Sequence, residues 1–349
     1  MKIKPIKLKN KSVGENQNCY VIAEIGSNFD GSLTRAKKLI KLAKSSGADA
    51  VKFQSFTAEK LISKYGFEKK TAFQGKWKNS VWNTYKKAEF PRKWHDELNK
   101  FCKKIDIHFF TSPWDFEAVD MLDKLNPVAI KIGSGDITYL ELLKYIALKK
   151  RPIILATGAS TMKEVENAVK IIKSTGNNQI ILLHSVTQYP SSIESANLLV
   201  LKTLRKKFQL NVGYSDHSPG SLVSLGSVAL GAKIIEKHFT DDPARLGPDH
   251  NHSMDPKSFA DMVKNIRLLE KALGNGIKQV EKIEHETRII QRRGIWTVKP
   301  IEKGENFSRN NLMVLRPALG ISATKYVSLL GKKSKKKFDA YQIINKEDL

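Results

Sequence analysis

The sequence predicts a (β/α)8 TIM barrel followed by a small β-rich domain, and three observations carry that expectation. Short β-branched runs alternate with amphipathic segments from residue 19 to about 274, eight such units fit into that span, and the texture changes after residue 275. Strand and helix patterns in alternation mark βα units around a parallel sheet, and eight in one domain of about 250 residues favour a barrel over an open doubly wound sheet.

The strands are expected at CYVIAEIG (19–26), DAVKFQ (49–54), IHFFTS (107–112), VAIKIGS (128–134), PIILATG (152–158), QIILLHS (179–185), LNVGYS (210–215) and AKIIEKH (232–238). Each is a short apolar run bounded by turn residues. Between most of them lie segments with apolar residues at helical spacing. TMKEVENAVKIIKSTG, for example, opens at Thr161 with a capping box to Glu164 and closes at Gly176. The connection from Gln54 to Ile107 is long and is expected to hold an extra lobe containing FQGKWKNSVWNTYKKAEFPRKW. The domain plan is a catalytic barrel over 1–275, a polar linker over 276–289 and a domain of short alternating runs over 290–349.

Composition bounds the class. With 41% hydrophobic and 27% charged residues in 349, the chain reads as globular. Cys19 and Cys102 are far apart with no CxxC spacing, which argues against a disulfide framework or a thiolate metal site. No run approaches the roughly 20 apolar residues of a membrane helix, so a cytoplasmic protein without membrane attachment is expected. Sixty Lys and Arg against 35 Asp and Glu give a formal charge of +25. Most of these lysines sit singly at helical spacing, the pattern of a solvated face. Only KKSKKK (332–337) is a true run, and without interleaved aromatics or a nucleic-acid module it leaves nucleic-acid binding unsupported.

Barrel enzymes carry their chemistry at the C-terminal ends of the strands. Those ends offer Glu24, Lys52, Ser112, Lys131 with Ser134, Thr157, His184 with Ser185, Ser215 with His217, and Lys237 with His238. Lys52 and Lys131 interrupt apolar strands where burial disfavours an ammonium, so together they point to an anionic ligand. The small residues GSG (133–135) and TG (157–158) add backbone N–H groups suited to phosphate oxygens. His217 and His238 end neighbouring strands and suit a divalent ion, with Asp216, Glu236, Asp249 and His250 placed to orient the rings. The residues alone lead to a barrel enzyme that binds an anionic, phosphorylated substrate beside a metal.

AEIGSNFDG (23–31), GADAVKFQ (47–54), AIKIGSGD (129–136), ILATGAS (154–160), LLHSVTQYP (182–190), VGYSDHS (212–218), GAKIIEKHFT (231–240) and GPDHNHSM (247–254) resemble, in order, the motifs of the sialic acid synthase family, which includes spore coat polysaccharide synthases. The tail RRGIWTVKPIEKGENFSRNNLMVLRP (292–317) is similar to that family's C-terminal SAF, or antifreeze-like, domain. The resemblance implies condensation of phosphoenolpyruvate with N-acetylmannosamine or a related N-acetylated aminosugar, giving a nine-carbon 2-keto acid and inorganic phosphate. It implies that Lys52, Ser112, Lys131, Ser134 and Ser215 hold phosphoenolpyruvate, with Thr157 and Ser185 beside them. It gives His217 and His238 a divalent ion, manganese first, with magnesium or cobalt as alternatives. Glu24, Asp136, Tyr189 and Asp249 would surround the sugar and the reacting centre, and Arg316 would reach the sugar from the partner in a domain-exchanged homodimer.

Four positions depart from the family pattern: Phe29 stands where a histidine is common, Asp136 where a glutamate is, Ala156 where a serine is, and Thr187 where an asparagine is. They leave the sugar open, with legionaminic or another nonulosonic acid as product. Two other readings compete: a phosphoenolpyruvate aldol synthase making an eight- or seven-carbon keto acid phosphate, and a basic polyanion-binding protein. The SAF-like tail separates the first, and binding that survives about 0.2 M salt would favour the second.

Overall fold

The computed structural model describes residues 3–70, 74, 75 and 77–349. Residues 71–73 and 76 of the expected lobe lie outside the described residues. The chain divides into two units, Met1–Gly274 and Asn275–Leu349.

The first unit opens with a short antiparallel hairpin, β1 (Ile6–Leu8) and β2 (Lys11–Val13), ahead of the first expected strand. Eight parallel strands follow: β3 (Tyr20–Glu24), β4 (Ala50–Ser55), β5 (His108–Pro113), β6 (Ile130–Ile132), β7 (Ile153–Ala156), β8 (Ile180–Ser185), β9 (Asn211–Asp216) and β10 (Ile234–His238). Their order, β5-β4-β3-β10-β9-β8-β7-β6, is that of a nearly closed barrel in which β3 pairs with both its successor and the last strand. The expected barrel is thus present, each strand within a few residues of its expected place.

Local chemistry explains the helices. Ser32, Asp115 and Asp255 cap Leu33–Ser45, Phe116–Lys124 and Pro256–Leu273 by accepting backbone N–H groups of the first turn. Thr161 and Glu164 form the expected capping box of Met162–Ser174. Each helix turns an apolar stripe onto the sheet; Ala36, Leu39, Ile40 and Ala43 of the first are fully buried.

Successive residues of a strand face opposite sides. One side packs Val21, Val51, Leu182, Val212 and Ile235 against the helices. The other side fills the barrel's interior with Tyr20, Ile22, Ala50, Phe110, Ile154, Ile181, Leu183 and Ile234, and the hairpin adds Ile6, Leu8 and Val13 to this second cluster. The apolar plug occupies the N-terminal half of the strands, so the inward positions left for polar groups lie at their C-terminal ends.

The second unit contains a 3-10 turn at Lys282–Glu284, a helix at His285–Gln291 and an antiparallel pair, β11 (Gly294–Thr297) with β12 (Leu312–Leu315). Its own core comprises Ile295, Ile301, Phe307, Leu312, Ile321, Leu329, Phe338 and Ile344. Within the lysine run, Lys336 pairs with Asp348 at 2.8 Å and Lys337 with Glu302 at 2.7 Å, while Ser334 is buried. The run is therefore partly neutralised inside its own unit. No helix among the described residues is long and apolar enough to cross a membrane, and both cysteines are free and buried.

Gly213 sits mid-strand in β9, two residues before Ser215. A methyl group there would lie 2.5 Å from the Ile234 carbonyl oxygen and 2.6 Å from Leu183 Cδ2, both closer than real contacts allow. Gly213→Ala is expected to destabilise the chain by about 2 kcal/mol through overpacking. Its thermal midpoint should fall by several degrees, and an unchanged midpoint would show that β9 and β10 can part without loss.

Candidate active site

The deepest polar layer of the barrel is a buried array of two ammoniums and two carboxylates. Lys52 on β4 stands in register with Glu24 on β3, and its Nζ lies 2.8 Å from Glu24 Oε2 and 3.6 Å from Glu236 Oε1. Lys131 on β6 reaches the same Glu236 Oε1 at 3.5 Å. Ser215, the register partner of Glu236, donates to it at 3.2 Å, and Gln54 donates to Glu24 Oε1 at 2.7 Å. All four charged side chains are at most 5% exposed.

Burial sets the charges. It pushes Glu24 up to about 7 against the opposing pull of Lys52. Burial also acts to raise Glu236, but Lys131 and Lys52 outweigh it and hold this carboxyl below its ordinary value. Lys131 is lowered by desolvation, whereas in Lys52 the two glutamates overcome desolvation and raise it. Burial works against the charged form of Glu24, and two ammoniums lining one buried layer suit an anionic ligand.

Hydroxyls surround this layer. Ser112 Oγ and Ser185 Oγ are buried without a hydrogen-bond partner among the described residues, as is Glu236 Oε2. Ser134 accepts the Gly158 N–H at 3.0 Å. Asp136, in the turn Ser134–Asp136, keeps Oδ2 buried and unpartnered, and burial lifts its carboxyl to about 7. Native interiors leave few polar atoms unpaired, so a concentration of them at one end of the strands is the signature of a ligand site.

One step outward lie the imidazoles. His238 stands in register with Glu24, and its ring centroid is 5.5 Å from that of His217 and 4.6 Å from that of His252. Tyr189 packs among them, 4.3 Å from His217, 5.2 Å from His252 and 6.0 Å from His238. Desolvation lowers all three histidines, His217 to about 4, so each is neutral near pH 7 and has a lone pair to give. Asp249 is held by the backbone N–H and hydroxyl of Ser27 at 2.9 and 2.8 Å. Gly26, at φ +53°, makes room for it: a Cβ there would be 2.5 Å from Asp249 Oδ2. A cavity of about 130 Å³, lined by Tyr189, His238, Asp249 and His252 together with Gln54, Phe56, Trp77 and Tyr85, opens over the group. His238 Nδ1 and His252 Nε2 are buried without a hydrogen-bond partner among the described residues, which fits a divalent ion nearby.

The structure corrects several expectations. None of Asp216, Glu236, Asp249 and His250 hydrogen-bonds a ring of His217 or His238 among the described residues. The Val186 carbonyl orients His217 instead, at 2.8 Å from Nδ1. Asp216 binds Lys237 at 2.9 Å and the hydroxyls of Ser218 and Ser224. His250 contacts Thr240 and Asp30. Lys237, at the outward position between Glu236 and His238, therefore serves the layer behind the barrel. His184 contacts the Ala196 carbonyl and packs edge-on against Tyr214 of the outer core. The Thr157 hydroxyl donates to the Leu183 carbonyl at 3.1 Å. Phe29 lies in an aromatic cluster with Phe53, Phe90 and Trp94 and handles packing rather than substrate. Arg316 is exposed just after β12 in the second unit. His252 was missed as a site residue because it lies in the connection after β10, not at a strand's end, although its motif was recognised.

A family model described as the NeuB family matches residues 39–278. The chain is 43% identical to the N,N'-diacetyllegionaminic acid synthase of Campylobacter jejuni over 330 residues, covering 93% of this chain and 98% of that one. Among solved structures, the sialic acid synthetase of Leptospira borgpetersenii in complex with citrate superposes with a TM-score of 0.74 at 35% identity, covering 81% of this chain and 95% of that one. The Bacillus subtilis spore coat polysaccharide biosynthesis protein gives 0.67 at 34% identity, with 99% of each chain covered.

Breaking a buried ion pair strands the remaining charge and typically costs about 3–5 kcal/mol. Lys52 neutralises two carboxylates and Lys131 only one, so Lys52→Met is expected to lower the denaturation midpoint of the ligand-free protein more than Lys131→Met. The reverse order in urea unfolding would show that Lys131 is the principal counter-ion.

Proposed function

The chain belongs to the NeuB family and is a synthase, and on that footing we propose that it condenses phosphoenolpyruvate with an N-acetylated aminosugar to a nine-carbon 2-keto acid, releasing inorganic phosphate. The observation that carries this reading is the buried array of Lys52, Lys131, Glu24 and Glu236 next to the imidazoles of His217 and His238. Lys52 and Lys131, with the hydroxyls of Ser112, Ser134, Ser185 and Ser215, hold the phosphate and carboxylate of phosphoenolpyruvate. Thr157 serves through the backbone it secures. His217 and His238 hold a divalent ion, which when bound supplies Lewis-acid polarisation of the sugar's aldehyde.

The residues then account for the electron flow. C3 of the enol phosphate forms a bond to the aldehyde carbon, and the aldehyde oxygen takes up a proton. Positive charge develops at C2, and the Glu24 carboxylate lies on the phosphoenolpyruvate layer to stabilise it. A water adds at C2 and gives up a proton. The resulting tetrahedral carbon expels phosphate as its C–O bond breaks, leaving the 2-keto acid. Asp136, Tyr189 and Asp249 line the sugar's side of the site.

The finer assignments follow the same reading. The sugar is N-acetylmannosamine or a relative such as a diacetamido deoxyhexose, and the ion is manganese before magnesium or cobalt. Residues 276–289 act as a linker and 290–349 as a SAF domain that carries Arg316 to the sugar bound by the partner in a domain-exchanged homodimer. The enzyme works in the cytoplasm.

Two measurements test this. Incubation with phosphoenolpyruvate, manganese and N-acetylmannosamine, its 6-phosphate or a diacetamido deoxyhexose should release phosphate with one sugar and give the matching product mass; no release with any of them sinks the reading. Glu24→Gln should lower kcat by two orders of magnitude or more while KM for phosphoenolpyruvate changes little. Because Glu24 must be ionised to stabilise C2 and titrates near 7, the wild-type kcat should rise with pH through that point and the variant's should not. A shared pH limb removes Glu24 from this role.

A further inference from the structure

We propose that the N-terminal end of the barrel carries a second anion site, in which Lys9, Lys103 and the amide of Asn10 bind the phosphate group of a small molecule. The site is independent of the reaction proposed above. It lies at the opposite end of β5 from Ser112, about 13 Å away at roughly 3.3 Å per residue.

Topology sets the place. β5 and β6 stand at the two ends of the strand order and, among the described residues, do not pair with each other. Where that seam begins, a cavity of about 280 Å³ opens, with Lys9, Asn10, Lys103 and His108 in its wall. The neighbouring charges are mostly answered: Lys11 pairs with Asp49, Arg151 with Asp123 at 3.0 Å, and Asp106, the carboxylate on the cavity, with Lys44 at 3.4 Å. The ammoniums of Lys9 and Lys103 have no ion-pair or hydrogen-bond partner among the described residues. Desolvation, then Lys103 and Arg151, all lower Lys9, so like charges gather here without an anion to balance them. Lys9 also holds φ at +52°, in the left-handed region that favours glycine, so the turn between β1 and β2 keeps a lysine on the cavity at a cost in backbone strain.

A short hydrogen-bond chain readies Asn10. Burial, with Lys11 and Lys9 beside it, drives His108 down to about 4, so the ring is neutral, with one nitrogen donating and the other accepting. Asn10 Oδ1 lies 2.7 Å from His108 Nε2, and the Tyr20 hydroxyl lies 2.6 Å from Nδ1. The amide oxygen only accepts, so Nε2 carries the proton, Tyr20 donates to Nδ1, and the Asn10 NH2 group is left for a ligand. Two ammoniums and an amide donor match the oxygens of a phosphate dianion. Phe109, Pro127 and Val128 line the cavity as well, and an organic part fits against them.

The test uses full-length protein with 13C-labelled histidine, the His108 resonance being the one lost in His108→Gln. Titration with inorganic phosphate, and separately with glucose 6-phosphate, should shift that resonance saturably. Saturation at lower concentration by the first supports a free-phosphate ligand, and by the second a phosphate ester. Replacing both cations, Lys9→Ser with Lys103→Ser, should weaken the response at least about tenfold. The thermal midpoint should hold, since both side chains are exposed. A His108 resonance that does not move, one that never saturates, or an equal response in the double variant overturns the site. Shifts confined to the other histidines place the anion elsewhere and overturn it too.

Discussion

The site depends on holding two ammoniums and two carboxylates in an interior that water does not reach. Lys52, Lys131, Glu24 and Glu236 are each nearly fully buried, and the desolvation of such ions costs several kcal/mol apiece unless geometry repays it. The barrel supplies that geometry through register: Glu24 beside Lys52, and Glu236 beside Ser215, are partners on adjacent parallel strands. A loop could not hold four such groups at 2.8–3.6 Å, since each would relax toward solvent.

The same pleat separates chemistry that the sequence runs together. In IIEKHFT the consecutive Glu236, Lys237 and His238 look like one polar patch. Strand alternation sends Glu236 and His238 inward and Lys237 outward, where Asp216 answers it beneath the helix Leu222–Ala229. Glu236 thus meets Lys52 and Lys131 inside the barrel, and Lys237 meets Asp216 outside it. An inward Lys237 would add a third cation to the array and leave Asp216 buried without one.

Legibility followed physical scale. The eight strands were readable because each is a continuous apolar run between turn residues, the pattern of a strand buried on both faces. Lys52 and Lys131 stood out for the converse reason, as ions inside such runs. The β1–β2 hairpin escaped because three-residue strands rich in lysine carry no periodic signal, and their burial is decided by the barrel end they cover. The partners of His217 and Asp216 were misjudged since proximity in sequence was used where pleat direction decides. Phe29 was read as a change at the substrate when its surroundings, Phe53, Phe90 and Trp94, come from β4 and the segment after it. His252 was illegible as a neighbour of His238 because a connection's path back over the barrel mouth is a tertiary fact.

Depth within the barrel also divides the labour of charge. Burial keeps His217, His238 and His252 neutral, so the imidazoles add nothing to the positive field and are free to bind a cation. The lysines below them carry a field that suits an anion. Were the histidines protonated, like charges would repel any metal and would compete with the lysines for any anion. Glu236 and His238 are successive inward residues of β10, which places the two layers about 7 Å apart. That span would fit a small enol phosphate of the proposed reaction, its anionic groups toward the lysines and its carbon end toward the imidazoles.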